Sequence, residues 1–170
     1  MQTILRGLRI LCMALWVGGI VYFVNVAQIA FSSLPTIHLA GIIVRGSLGR
    51  LHQIGLITSA IFLLATAAQI YIRRRDKHLV RSYSLSLVFL VPMVLCTLYS
   101  SSVVIPRMER DRQTAMQTVP EIDSLPSTNP IRMDFDRLHQ QSTWLEEAVL
   151  LFGLGIIALL GREPHLTAQR

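Results

Sequence analysis

The sequence predicts an all-α, multi-pass membrane protein in which four transmembrane helices form one bundle. Of its 170 residues, 52% are hydrophobic and only 15% are charged, and the mean hydropathy is +0.50. Soluble domains carry charge on about a quarter of their residues, so this deficit is typical of a membrane protein. The charges are also unevenly placed, because they are absent from four long apolar blocks and crowded between them.

Each apolar block is long enough to cross the hydrocarbon core, which takes about 20 helical residues. The first block is too long for the apolar part of a signal peptide, and no small-residue cleavage site closes it, so we expect a retained helix. Residues 36–49 are expected to form a short interfacial helix or an irregular lead-in. The predicted helices are 8–31, 51–72, 82–105 and 131–161, within one domain covering residues 1–170.

Prolines mark the expected ends and bends of the later helices. Pro92 predicts a kink inside the third helix, and Pro106 predicts its end. The segment 106–130 is polar and contains three further prolines, which predicts an outer loop of about 25 residues. Asn129 and Pro130 suit the cap and the first turn of the fourth helix.

Basic residues predict the orientation, because they concentrate on the cytoplasmic side of membrane proteins. Five of the nine residues from Arg73 to Arg81 are Lys or Arg. We therefore expect this short loop and both termini in the cytoplasm of a bacterium, with the chain in the cytoplasmic (inner) membrane. The long loop then faces outward, and the inner helix ends are expected to carry only head-group anchors.

Composition and motifs exclude several function classes. The net charge of +6 comes from fifteen arginines and one lysine that flank the apolar blocks, which indicates lipid head groups rather than nucleic acid as the partner. Besides the lipid bilayer, a larger membrane complex or a homo-oligomer is the expected partner. The sequence lacks a phosphate-binding glycine loop, Cys-x-x-Cys, a nucleophile elbow and a zincin motif, which favours a protein that is not an enzyme.

A nine-residue pattern occurs twice, before the second and within the start of the fourth predicted helix. Both copies, 45–53 and 132–140, read Arg-x4-Arg-Leu-His-Gln, and each follows a Ser-Leu-Pro sequence. The pattern predicts a 2+2 parallel repeat with an axis along the membrane normal, and coincidence in a biased composition is the alternative. Counting about 20 residues from the inner ends puts His52 and His139 at the outer boundary of the lipid.

Polar residues near the outer helix ends predict a pocket there, because charge that faces lipid is costly. His52 and His139 are candidate ligands of heme b or a metal ion, and arginines are candidate partners of heme propionates or another anion. Glu146 shares a helix face with His139, seven residues away. The predicted lining is Asn25, Arg50, His52, Arg107, Arg137, His139 and Glu146.

Other interpretations of these residues stay open. In one alternative, the same residues form a closed salt-bridge network that only holds the helix ends together. The function classes are a heme- or metal-binding protein, a small transporter that uses Glu146 and the histidines, and a non-catalytic accessory subunit of a larger membrane complex.

Several motifs resemble those of the bacterial domain-of-unknown-function family that is similar to transmembrane protein 205. The motifs are Trp16 to Phe23, Ser33-Leu-Pro, His38 to Gly41, Arg50-Leu-His, Ile105 to Arg110 and Phe135 to Ser142. This resemblance implies a fold rather than an activity. More distantly, the Trp-x-Gly-Gly helix resembles the copper-resistance protein D and heme-binding HemJ groups. Those groups place a His seven residues before this Trp, where the present chain has Arg9, so a heme here would need His52 or His139.

Overall fold

The computed structural model describes residues 1–163, and within them every regular element is helical. The elements are α1 (Gln2–Ser33), α2 (Ile37–Arg73), α3 (Lys77–Tyr99), a π-helical segment (Ser100–Val104), α4 (Ile105–Ala115), a 3-10 turn (Ile122–Ser124) and α5 (Pro130–Arg162). Four stretches are long and apolar enough to cross a membrane: α1, α2, the continuous run Lys77–Ala115, and α5. The predicted all-helical fold with four such helices is confirmed.

The helices are longer than the hydropathy pattern predicted. Of residues 36–49, expected as an interfacial helix or an irregular lead-in, residues 37–49 belong to α2 and Thr36 is its N-cap. The chain also stays helical after Pro106, so that α4 occupies the first half of the predicted outer loop. Hydropathy marks only the part of a helix that lies in lipid, whereas backbone hydrogen bonding continues through polar residues beyond it.

Side-chain caps explain where three of the helices begin. Thr36 accepts a hydrogen bond from the backbone N–H of Leu39 at the start of α2, and Asp76 accepts one from Leu79 at the start of α3. Asn129 accepts from the N–H of Ile131, directly after Pro130 at the first position of α5. The predicted cap at Asn129 and the predicted place of its proline are confirmed.

The π-helical segment joins α3 to α4 without interrupting the helical run. Pro106 lies just beyond it and has no N–H to donate to the carbonyl four residues earlier, where its ring would also clash. A widened turn before the proline removes that clash and lets the helix continue past the apolar part of the chain.

The long helices form a ring in which α1 packs against α2 and α5, and α3 packs against the same two. Close approach of α1 to α2 depends on Gly55, since a Cβ there would lie 2.5 Å from the ring of Trp16. Trp16, Phe62 and Met93 fill the centre of the bundle. A parallel 2+2 repeat would give these pairings, but so would any four-helix bundle with alternating directions, so the repeat stays a prediction.

The two ends of the bundle have different coverings. We call the end that carries the link 34–36 and residues 105–130 the loop end. The opposite end, with residues 2–9, the link 74–76 and residues 160–163, is the terminal end. At the loop end, α4 continues the helical run beyond α3, and α4 and the 3-10 turn line a space between the helices. At the terminal end, the described residues 1–163 provide the short link between α2 and α3.

Candidate functional site

A pocket of about 690 Å³ lies at the loop end, between α1, α2, α4 and α5. Side chains of the bundle line its apolar part, and charged side chains from α2, α4, α5 and residues 121–123 line its rim. Pockets of roughly 300–1,000 Å³ with such a mixed lining are usual for sites that bind small organic molecules. The apolar lining includes Ile20, Phe23, Val24, Ala27, Leu48 and Leu150.

One side of the rim is held by ion pairs between α2 and α4. Arg45 of α2 forms an ion pair with Glu109 of α4, and Nη1 of Arg112 lies 3.7 Å from the same carboxylate. The Arg112 guanidinium lies 5.7 Å from the ring centroid of Phe135, and it packs against Gly41, where a Cβ would come within 3.2 Å of it. These contacts fix α4 over the pocket.

The other side of the rim is held by ion pairs at the start of α5. Arg132 bonds to Asp136 one turn later at 2.9 Å and forms a second ion pair with Asp123 in the 3-10 turn. Two further carboxylates of the lining, Glu121 and Glu147, have no ion pair among residues 1–163. The rim therefore holds more carboxylates than its arginines neutralise.

Deeper in the bundle, His52 and Glu146 connect α2 to α5. The Nε2–H of His52 donates to Oε1 of Glu146 at 2.6 Å, and the two side chains are only 3% and 14% exposed. Nδ1 of His52 is buried without a hydrogen-bond partner in the described part of the chain. Glu146 lines the pocket whereas His52 stands behind it, so the imidazole orients a carboxylate that faces the cavity.

The structure brings together only part of the residue set predicted from the sequence. Glu146 and His139 line the pocket, and His52 reaches it through Glu146. The remaining four are exposed and lie outside the lining. Asn25 bonds to the carbonyl of Val21, Arg50 to Gln53, Arg107 pairs with Asp134 at 3.2 Å, and Arg137 lies on the surface.

The two histidines occupy different environments. His139 is exposed, and its ring stacks on that of Phe135 one turn earlier, with centroids 6.4 Å apart. Because His52 bonds to Glu146, seven residues after His139, the histidines differ in depth by about 10 Å along α5. A shared metal ion needs both nitrogens within about 2 Å of it. This geometry therefore does not fit one metal or heme iron held by both histidines.

No other set of side chains within residues 1–163 is arranged for a metal: no group of three or more His, Cys, Asp or Glu residues comes together there. At the position where the HemJ-like groups have a histidine, Arg9 is fully buried at the terminal end. Its Nη1 donates to Gln69 at 2.6 Å and to Glu163 at 2.8 Å. These residues do not fit heme ligation.

The buried Arg9 also corrects the expectation that the inner helix ends carry only head-group anchors. Its guanidinium lies over the rings of Phe62 and Tyr83, at 5.1 and 4.9 Å from their centroids. Together with Gln69 and Glu163, these contacts join all four long helices around one cation. The terminal end therefore holds a closed ionic cluster.

Sequence reasoning missed most of the rim. Arg45 and Arg132 open the two copies of the repeated pattern, so that pattern carried a signal for them. Glu109 and Arg112 could not be found in this way, because the segment containing them was expected to be a loop. Only the helical continuation after Pro106 turns both side chains of α4 toward α2.

Comparisons with known proteins give one match. A family model described as "Domain of unknown function (DUF4149)" matches residues 11–117, which cover most of α1 and all of α2, α3 and the π-helical segment, together with α4. No curated protein and no solved structure matches significantly. The relations to transmembrane protein 205 and to the HemJ-like groups therefore rest on the sequence motifs alone.

Proposed function

The chain belongs to the DUF4149 family, whose domain has no assigned function, and we propose from the geometry of its pocket that it is a membrane protein that binds a small amphipathic molecule at the loop end. The observation that carries this proposal is the pocket of about 690 Å³, with an apolar interior and an ionic rim. Such a lining suits a ligand with an apolar body and a polar end.

The pair of His52 and Glu146 supports a role in binding rather than a purely structural role. A purely structural pair stabilises the helices most when both partners are enclosed and fully hydrogen-bonded, because the free-energy cost of desolvating them must be offset. Here Glu146 lines the cavity and has one partner, so its second oxygen remains available for a donor on a ligand. The histidine behind it fixes the side chain in place, as supporting residues do in preorganised sites.

Blocking the pocket tests the proposal. Ala27 lines the pocket on α1, whereas Ala14 is an exposed residue of the same helix, so Ala27→Trp and Ala14→Trp form a matched pair. The probe is a neutral fatty alcohol that carries a photoreactive diazirine, added to the protein in lipid nanodiscs. We expect saturable labelling in the wild type and Ala14→Trp and its loss in Ala27→Trp. Labelling that never saturates, or that Ala27→Trp leaves intact, would overturn the proposal.

The orientation of this pocket is part of the same proposal. From the basic residues 73–81 we infer that the termini are cytoplasmic and that the pocket opens on the outer side of the inner membrane. A cysteine introduced at Ser124, the exposed last residue of the 3-10 turn, should react with an impermeant thiol reagent in intact cells. A cysteine at Lys77 should stay unlabelled, and the opposite pattern would invert the orientation.

A further inference from the structure

We propose that the ligand of the loop-end pocket is a lipophilic cation, meaning an apolar body that carries a quaternary or protonated amine or a comparable positive centre. This inference rests on the proposed function, since it names the chemical class that the same pocket takes. The net charge of the whole chain is +6, which by itself would favour an anionic ligand. The inference therefore depends on the local distribution of charge around the pocket.

The pocket is acidic although the chain is basic. Its lining contains three arginines and six carboxylates, an excess of three negative charges when histidines are counted as neutral. Low-dielectric walls strengthen the field of such charges at the cavity, so a cation is drawn in and an anion is repelled.

The arginines of the rim already face carboxylates. Arg45 and Arg112 share the carboxylate of Glu109, and Arg132 holds Asp123 and Asp136. Nη1 of Arg112 has no hydrogen-bond partner within residues 1–163, but an anion placed there would lie beside the like charge of Glu109. At Arg45 or Arg132 an anionic ligand would have to displace a carboxylate and leave it unpaired. Displacing a partner in this way costs more than the new contact returns, because the released charge loses its compensation.

Three carboxylates of the lining remain available to a cation. Glu121 and Glu147 have no ion pair within residues 1–163, and Glu146 has only His52. Phe23 and Phe31 line the same pocket, and aromatic rings attract organic cations when water is excluded. The combination of free carboxylates with aromatic and aliphatic walls is complementary to a cation with an apolar body.

Two probes of the same shape and opposite charge test the ligand class. Tetraphenylphosphonium and tetraphenylborate differ in charge, and binding of each is measured by equilibrium dialysis against the protein in phosphatidylcholine nanodiscs. Empty nanodiscs serve as the blank, because the interfacial dipole potential changes the partitioning of both ions into lipid. We expect saturable binding of the phosphonium above the blank, and binding of the borate at least about tenfold weaker, a difference of about 1.4 kcal/mol.

Variants that each neutralise one carboxylate show which residues favour binding of the phosphonium. Glu147→Gln and Glu121→Gln alter partly or fully exposed side chains that hold no ion pair in the described structure, so they should fold normally. Each should weaken phosphonium binding several-fold. Asp134→Asn on α5 makes the same change of charge outside the lining, so it should leave the affinity within about twofold. Equal losses in all three variants would show a general charge effect and overturn the assignment.

The neutral diazirine probe separates this inference from the proposed function. If that probe labels the pocket saturably but the borate binds as tightly as the phosphonium, the pocket binds ligands but the cation class is wrong. The same conclusion follows if neither ion binds above the blank. If no probe, neutral or charged, binds saturably, both proposals fail.

Discussion

Each end of this bundle has a carboxylate that is hydrogen-bonded to a buried nitrogen-containing side chain, but only one of the two carboxylates lines a cavity. At the terminal end, Arg9 is fully enclosed by hydrogen bonds to Gln69 and Glu163 and by two aromatic rings. At the loop end, Glu146 has the single partner His52 and lines a pocket of about 690 Å³. Enclosure on all sides is expected of a pair that only joins helices, and an open side is expected of a group that binds a ligand.

The two ends differ in how the elements meet there. At the terminal end, the four long helices converge on Arg9, whose Nη1 donates to Gln69 and Glu163, while its Nε has no hydrogen-bond partner within residues 1–163. At the loop end, the ion pair Arg45–Glu109 joins α2 to α4, and Arg132–Asp123 joins α5 to the 3-10 turn. All four of these side chains line the pocket, so the ion pairs lie around an open space.

The largest expected effect concerns the closed cluster. Arg9→Met removes the cation and leaves Glu163 buried without its partner, so the free energy of unfolding should fall by about 3–5 kcal/mol. Thermal unfolding in detergent micelles measures this loss. The double variant Arg9→Met, Glu163→Leu should recover most of it, because a buried pair can be replaced by apolar side chains. A loss below about 1 kcal/mol in the single variant would contradict the claim that the Arg9 cluster stabilises the terminal end.

A smaller loss of stability, together with a loss of binding, is expected at the open pair. His52→Ala leaves the carboxylate of Glu146 without its hydrogen bond, which should cost about 1–3 kcal/mol in unfolding free energy. Saturable labelling by the diazirine probe should also fall, since Glu146 is no longer held toward the cavity. His78→Ala is the matched control, since His78 is an exposed histidine of α3 that does not line the pocket. If His52→Ala lowers the stability but leaves labelling unaltered, the pair of His52 and Glu146 only joins the helices.

The smallest effect is expected outside both clusters. Arg107 and Asp134 form an exposed ion pair at 3.2 Å, with side chains 52% and 39% exposed, and neither residue lines the pocket. Arg107→Ala should therefore change the unfolding free energy by less than about 1 kcal/mol, because water screens such pairs. Labelling should be unchanged. A clear loss of labelling would mean that the site extends to this surface, as the sequence had suggested.

Hydropathy was sufficient for the four long helices and insufficient for the site. The apolar blocks predict the helices because each exceeds the thickness of the hydrocarbon core. A membrane helix that is apolar on all sides, however, gives no periodic signal for which face turns inward. The enclosure of Arg9 could therefore not be predicted. Arg50 and Asn25 were expected in the pocket and are exposed outside its lining.

The histidines show a second limit of the sequence. The repeated pattern around His52 and His139 predicted equal depth, because both copies were counted from the inner ends of apolar blocks. The hydrogen bond between His52 and Glu146 instead puts His139 about two turns nearer to the start of α5. Helix register between partners is decided by packing contacts such as Trp16 on Gly55, which no count along one chain contains.

The position of the bound probe along the chain is the most direct test of the difference between the two ends. The diazirine alcohol is crosslinked in nanodiscs at increasing concentration, and labelled peptides are mapped by mass spectrometry. Saturable labelling should fall in residues 20–31, 37–48, 105–112, 121–123 and 132–150, which contain the pocket lining. Residues 2–9, 66–73 and 160–163 should show only the linear labelling of lipid-facing surfaces. Saturable labelling at the terminal end, or its absence from the loop end, would contradict the assignment of ligand binding to the loop end and of a purely structural role to the terminal end.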